Sequence, residues 1–240
     1  MHRSRTRRRK PTLRQRCRTC GPGGSPTTAS SVQNYRGGVE VPSLSRQAWS
    51  VIAALILAAG AGSRFAGKQH KLLSPLRGTR VIDHTIAAVQ RAIADGAPIA
   101  RILVVTGAVD LAPLPSEVSV VANPQWNEGQ ATSLQAGIRA AEAIGADAVV
   151  VGLGDQPFVS PDAWRAVAES HATIAVATYP GASTRTPALI RREAWPHLPK
   201  TGDFGARHLI SSRPELVEEV PCSGTPADID TLEDLESWNP

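Results

Sequence analysis

Two kinds of residue in this chain are of the types that phosphate chemistry uses: glycines and cations gathered in one loop, and aspartates in turns far apart along the chain. The loop is Leu57-Ala58-Ala59-Gly60-Ala61-Gly62-Ser63-Arg64-Phe65, with Lys68 and Lys71 a few residues on. Glycines let backbone N–H groups approach an anion closely, while Arg64 and Lys71 add mobile positive charge. The same segment also reads as an ordinary strand-to-helix turn with solvated cations. The aspartates are Asp155, in Gly154-Asp155-Gln156-Pro157, and Asp228 and Asp230, in Asp228-Ile229-Asp230-Thr231. A carboxylate suits a hard, oxygen-seeking ion such as Mg2+; one holds it weakly, whereas two together with a ligand's phosphates make a site. Read locally, Asp155 is equally a turn-capping side chain, and Asp230 or Thr231 equally an N-cap before first-turn acids.

Two familiar phosphate motifs do not fit the loop. Gly62 to Gly67 followed by Lys68 has the spacing of a P-loop, but Gln69 stands where a hydroxyl residue should meet magnesium. A dinucleotide fingerprint needs a third glycine where Phe65 stands, and an acid closing the second strand, whereas Asp83 falls in the first helix. The histidines have no metal-ligand spacing, and no Ser/His/Asp set is suggested. Cys17 and Cys20 are half of a zinc ribbon without its second half, and Cys222 stands alone. Trp126, Trp164, Trp195 and Trp238 read as packing residues.

The elements that must position these groups alternate. Val51 to Ala58 is a continuous apolar run, expected of a strand covered on both faces and ending in the glycine loop. Helical spacing then covers Val81 to Ala94, with Gly96 and Pro98 as stop signals. Strands are predicted at Ile99 to Thr106, Val118 to Ala122, Ala148 to Leu153, Thr173 to Thr178 and Leu216 to Val220. Helices are predicted at Thr132 to Ile144, Pro161 to Ala172 with Ser160 as N-cap, Ala206 to Ser211 and Leu232 to Trp238. The alternation implies a three-layer α/β/α domain over residues 51 to 240, mostly parallel, with ligands beyond the carboxyl ends of its strands.

Charge divides the chain. The 240 residues carry a net charge of +5, but residues 1–50 hold 11 Lys/Arg against one acid, Glu40, and the rest hold 15 against 20. The domain is therefore mildly acidic, and a specific nucleic-acid surface is not indicated. The head from Met1 to about Ser50 has the composition of a disordered, solvated tail, and a start codon assigned too far upstream would produce such a stretch. Its basic run leads into no apolar segment of a secretory signal, and no run reaches the roughly 18 to 20 apolar residues of a membrane span. A soluble, cytoplasmic protein without a membrane partner is expected.

Taken together, Leu57-Ala58-Ala59-Gly60-x-Gly62-x-Arg64-Phe65 and Lys71-Leu72-Leu73-x-Pro75-Leu76 resemble the opening of the MobA-like nucleotidyltransferases. Later segments agree in order. Asn123-Pro124-x-Trp126-x-Glu128-Gly129 with Ser133-Leu134-x-Ala136-Gly137 resembles the second signature of the molybdenum cofactor cytidylyltransferase branch, and Gly154-Asp155-Gln156-Pro157 the family's metal-binding turn. Gly202-Asp203-x-Gly205-Ala206-Arg207 and Asp228-Ile229-Asp230-Thr231-x-Glu233-Asp234-Leu235 resemble its last two.

The resemblance implies a GT-A-like Rossmannoid fold, and transfer of a nucleoside monophosphate from a nucleoside triphosphate to a phosphorylated small molecule, with Mg2+. It implies that Ala59, Gly60, Ala61, Gly62 and Ser63 wrap the triphosphate with Arg64 and Lys71, that Lys71 neutralises the α-phosphate, and that Asp155 and Asp230 hold the metal, Asp228 being the fallback. Lys68 is the rival lysine, because Gln69 and His70 lengthen the loop. The base is expected near Ala58, Ala59 and the Gly129 to Ser133 loop, including Thr132. Leu-Ala-Ala-Gly in place of Leu-Ala-Gly-Gly resembles the cytidylyl-transferring side, hence CTP. Arg207 is the candidate for an acceptor phosphate, with a molybdopterin-type acceptor first and another phosphorylated metabolite second. A downstream molybdoenzyme or chaperone is the implied protein partner. Arg185-Thr186-Pro187 departs from the family's Gly-His-Pro, which points to a changed acceptor pocket. A dinucleotide-dependent oxidoreductase and a non-catalytic nucleotide-binding module are the alternatives; the poor Gly-x-Gly-x-x-Gly match argues against the first, and retention of Arg64, Lys71, Asp155 and Asp230 against the second.

Overall fold

The computed structural model describes residues 51–239; the basic head, with Cys17 and Cys20, lies outside them. The chain opens with β1 (Ile52–Ala58), followed by a loop, a short hairpin of β2 (Pro75–Leu76) and β3 (Thr79–Arg80), and α1 (Val81–Ala94). Then come β4 (Ile99–Thr106), β5 (Val118–Ala122), α2 (Gln130–Ala143), β6 (Ala148–Leu153) and α3 (Pro161–Glu169). The last part holds β7 (Ile174–Thr178), β8 (Ala188–Arg191), α4 (Arg207–Ser212), β9 (Val217–Pro221) and α5 (Leu232–Ser237).

β1 is buried at all of its positions because it is the middle of the sheet. It pairs in parallel with β4 on one side and β6 on the other, in the order β5-β4-β1-β6-β8-β7-β9. Every pairing in this seven-stranded sheet is parallel except those of β8, which runs antiparallel to both β6 and β7. Side chains alternate across a strand, and the two halves of the core follow that alternation. Ile52, Ala54, Ile56 and Ala58 join Ile82, Ile86 and Val89 of α1 and Trp164 and Val167 of α3. Ala53, Leu55 and Leu57 join Leu134, Ile138 and Ala141 of α2. The result is the expected three-layer α/β/α arrangement around a mostly parallel sheet.

Small residues let the layers approach. A Cβ on Gly152 of β6 would stand 2.4 Å from the Trp164 ring, so only glycine lets the tryptophan of α3 come this close to the sheet. Ser160 caps α3 as expected, its hydroxyl accepting from the Ala163 N–H at 3.2 Å.

Some boundaries differ from the sequence reading. Helix α2 starts at Gln130, two residues early, and α3 stops at Glu169, where Ser170 turns extended. Strand β8 and the β2–β3 hairpin were not anticipated. No helix among the described residues is long and apolar enough to cross a membrane.

Candidate functional site

The carboxyl ends of β1 and β6 open into a cavity of about 650 Å³. The backbone leaving β1 lines it from Ala58 to Arg64, as the loop's glycines suggested. Gly62 turns at φ +61°, and a Cβ there would press the His70 ring at 3.2 Å. His70 fastens the loop: its Nδ1 accepts from the Leu72 N–H at 3.2 Å, so its other nitrogen donates to the Gly60 carbonyl at 2.9 Å. Burial, and then the neighbouring Lys71 charge, hold the imidazole below its ordinary pKa and so favour this neutral form, against the Gly60 carbonyl, which pulls towards the protonated one. The residue that lengthened the loop is thus its clasp, a role that sequence reading missed.

Lys71 follows in a turn of 3-10 helix (Lys71–Leu73) and points inward. Its ammonium lies 2.6 Å from Asp155 Oδ2 and 2.8 Å from Asp230 Oδ1. Burial works against the charge, but the two carboxylates prevail, Asp155 foremost, and raise the lysine's pKa. Lys68, by contrast, is exposed and outside the cavity lining. Arg64 reaches from the opposite side to Asp230 Oδ2 at 2.9 Å.

The carboxylates are brought together by backbone. Asp155 follows β6, and its carbonyl accepts from the Ile229 N–H at 2.9 Å, stitching the two acidic turns together. Thr231, not Asp230, caps α5: its hydroxyl accepts from Asp234 N–H, and Asp234 accepts in return from Thr231 and Asp230 N–H. Those hydrogen bonds, from the Thr231 backbone first, keep Asp234 below the usual carboxylate range. The cap thereby leaves the Asp230 side chain to face the cavity. Asp228 lies beside them, its pKa raised by burial and then by repulsion from Asp155 and Asp230.

The third wall is the loop between β5 and α2. Gly129, at φ +108°, rests so close to Gly202 that a Cβ would stand 2.5 Å from its carbonyl oxygen. The Ala131 N–H donates to that same oxygen at 2.9 Å. Asn123, buried beneath, donates to the hydroxyls of Thr132 and Ser133, each at 3.0 Å, and accepts from Gln125 N–H. Ser133 lines the cavity; Thr132 does not. The Thr132 hydroxyl is drawn down to the carbonyls of Gln125 and Gly129, at 2.8 and 2.9 Å, so it fastens the loop instead of facing a ligand. Trp126, expected only to pack, both packs against the core and lines the cavity, beside Asn127, Gln130 and Asp203.

A second cavity of about 580 Å³ adjoins the first, and both are bounded by Leu57, Gln130, Leu153 and Asp228. Arg207 belongs here, with Arg185, Thr186 and Phe204. Arg185 is engaged by Glu219 at 3.0 Å, whereas Arg207 has no carboxylate within ion-pair distance among the described residues.

Chemically, the first cavity combines a glycine-bearing backbone, two cations and four aspartates, of which Asp155 and Asp230 meet at Lys71. No group of three or more potential metal-ligating side chains occurs among the described residues. Asp155 and Asp230 nevertheless converge on a single positive charge, and so would suit a divalent cation that a ligand's phosphate oxygens also held.

Comparison with known proteins agrees with this chemistry. The model of the MobA-like NTP transferase domain matches residues 54–218. Purine catabolism protein PucB of Bacillus subtilis is 38% identical over 114 residues, which span 45% of this chain and 55% of PucB. A nucleotidyl transferase from Methanothermobacter thermautotroptrophicus superposes with a TM-score of 0.65 at 28% identity, covering 79% of this chain and 96% of its own. Rv0371C of Mycobacterium tuberculosis H37Rv, in complex with manganese, superposes with a TM-score of 0.59 at 26% identity, covering 79% and 98%.

Proposed function

The chain belongs to the MobA-like NTP transferase family, and from its site we propose that it transfers a nucleoside monophosphate from a nucleoside triphosphate to a phosphorylated small molecule. The observation that carries this reading is the convergence of Lys71, Asp155 and Asp230 beside a glycine loop, in a cavity that shares a wall with a second one.

A phosphate oxygen of the acceptor forms a bond to the α-phosphorus; the bond to the β-phosphate oxygen breaks, and pyrophosphate departs with the electron pair. An ionised phosphate is already nucleophilic, so no general base or covalent intermediate is required, and positioning with charge stabilisation does the work. Backbone N–H groups from Ala59 to Ser63 cradle the triphosphate, and Arg64 screens its outer charge. Lys71 meets the negative charge that builds at the α-phosphate in the transition state. Asp155 and Asp230 suit Mg2+, which when bound supplies Lewis-acid charge to the phosphates. Ala58, Ala59, Gly129 and Ser133 offer a narrow, largely main-chain surface to the base, with Thr132 holding that loop from beneath. Arg207 takes the acceptor's anionic group.

CTP is the proposed donor, on the Leu57-Ala58-Ala59-Gly60 opening, and a molybdopterin-type compound the proposed acceptor, on the Asn123 to Gly137 segment. By the same resemblance this is a cytoplasmic enzyme whose product passes to a molybdoenzyme or its chaperone. The test is pyrophosphate release by the full chain with Mg2+, molybdopterin and each of CTP, GTP, ATP and UTP. Release with CTP alone is expected. Release with another nucleotide would reassign the base, and silence with all of them would remove molybdopterin as acceptor.

A further inference from the structure

The second cavity contains a feature that phosphate recognition alone does not explain. Phe204 is 66% exposed, the most exposed large apolar side chain among the described residues, yet it lies on the lining of a concave site. It stands between Gly202 and Gly205, both at positive φ (+89° and +49°), and the Gly202 carbonyl is itself pinned by Ala131 N–H. The aromatic ring is thus presented from a backbone fastened on its Gly202 side. His208 is its nearest aromatic neighbour, with ring centroids 6.2 Å apart, so the ring is not packed into the core. Three residues on, at the start of α4, is Arg207, the cation of this cavity without a carboxylate partner. A volume near 580 Å³ accommodates a compact small molecule.

Resting on the nucleotidyl-transfer reading above, we propose that Phe204 determines acceptor class: it is a stacking platform for a planar conjugated ring, while Arg207 holds the anionic group of the same molecule. An aromatic side chain is costly to leave in water and fixes few rotors on binding, which suits it to a flat partner better than to a flexible polyol chain. Ser183, Thr184, Leu57 and Leu153 also line this cavity, so that it offers both polar and apolar contacts.

Phenyl phosphate and cyclohexyl phosphate separate the two contributions, because they carry the same charge and the same number of ring carbons but differ in planarity and π-character. Binding of each to the full chain is measured by ligand-observed NMR titration. Wild type is expected to favour phenyl phosphate by roughly two- to tenfold. Phe204→Leu keeps an apolar contact and is expected to level the pair; Phe204→Trp is expected to keep the preference. Arg207→Gln is expected to weaken both probes alike. Equal affinity of wild type for the two probes, no binding of either, or a preference that survives Phe204→Leu would each overturn the proposal. These measurements need no turnover, so silence with every nucleotide beside an intact ring preference would remove molybdopterin as acceptor and leave the ring site standing.

Discussion

Asp230 is shared between two cations, its Oδ1 at 2.8 Å from Lys71 Nζ and its Oδ2 at 2.9 Å from Arg64. The two positive groups proposed for the triphosphate are therefore engaged by a carboxylate proposed for the metal. Nucleotide and divalent cation should then bind with positive coupling, since each relieves an ion pair that opposes the other. Asp230→Asn releases the cations and removes a metal ligand at once. Its affinity for nucleotide in the presence of a chelator is expected to rise roughly threefold to tenfold, the Arg64 pair contributing little because that side chain is 75% exposed. Calorimetric titration with CTP in excess chelator reads the effect, and weaker binding by the variant would refute the masking.

Lys71 has a different position, its side chain only 11% exposed between two carboxylates. Lys71→Met leaves Asp155 without its cation and Asp230 with only the exposed Arg64. Its melting temperature is expected to fall by several degrees, as loss of about 1–3 kcal/mol produces in a domain of this size, and to recover when Mg2+ or Mn2+ is added. A variant that melts like wild type in chelator, or that no divalent ion rescues, contradicts the convergence of charge at this point.

On the chemical step, Lys71→Ala and Asp155→Asn should each retain the fold and lose on the order of 10² to 10³ in turnover, the usual loss when one preorganised charge contact is removed from a transition state. Circular dichroism checks the fold and pyrophosphate release the rate. Lys68→Ala, at an exposed residue outside the cavity lining, is expected to stay within about twofold of wild type. Near-normal turnover for Lys71→Ala would withdraw its role.

The clasp made by His70 gives a pH signature. Folding lowers its pKa below the ordinary 6.5, with burial the largest cause. The unfolded chain therefore takes up a proton more readily than the folded one as pH falls. The stability due to this group is fully present above 6.5 and is lost progressively below it, down to the lowered folded value. His70→Gln cannot take up that proton, and its acid-side stability should decline less steeply than that of wild type. Melting curves on both sides of pH 6.5 check this; parallel declines in the two proteins would rule it out.

How far the sequence alone disclosed these relationships depended on the range of the interaction. The seven residues of β1, IAALILA, read as a strand covered on both faces because every one is apolar, and every one is buried. Ala188–Arg191 was invisible as a strand: four residues are too few for a period, and its antiparallel course breaks the βαβ rhythm that made the other strands legible. Lys71, Asp155 and Asp230 were each recognisable by motif, but their contacts join residues 84 and 159 positions apart. No local pattern encodes such a distance. Thr132 and Ser133 are alike in type and adjacent in α2; helical geometry sends one down to Gln125 and Gly129 and lets the other reach the cavity. His70 looked like an insertion because its partners are backbone atoms, which carry no sequence signal.

Gly129 supplies the last test, because backbone geometry and close packing coincide there. At φ +108° a side chain is strained whatever its surroundings, and a Cβ would meet the Gly202 carbonyl at 2.5 Å. Gly145, at φ +71° with no atom within 4 Å of its virtual Cβ, separates the two effects. Gly145→Ala is expected to cost about 1 kcal/mol, the backbone component alone. Gly129→Ala adds the collision with a carbonyl that Ala131 N–H also holds, and about 2–4 kcal/mol in all is expected. Urea denaturation of the two variants gives the comparison. The same displacement should loosen the Gly202 to Gly205 segment that carries Phe204, so Gly129→Ala should also bind phenyl phosphate more weakly, while Gly145→Ala should not. Equal stability losses in the two variants would mean that the Gly202 carbonyl yields freely, and that the loop does not depend on this contact for its shape.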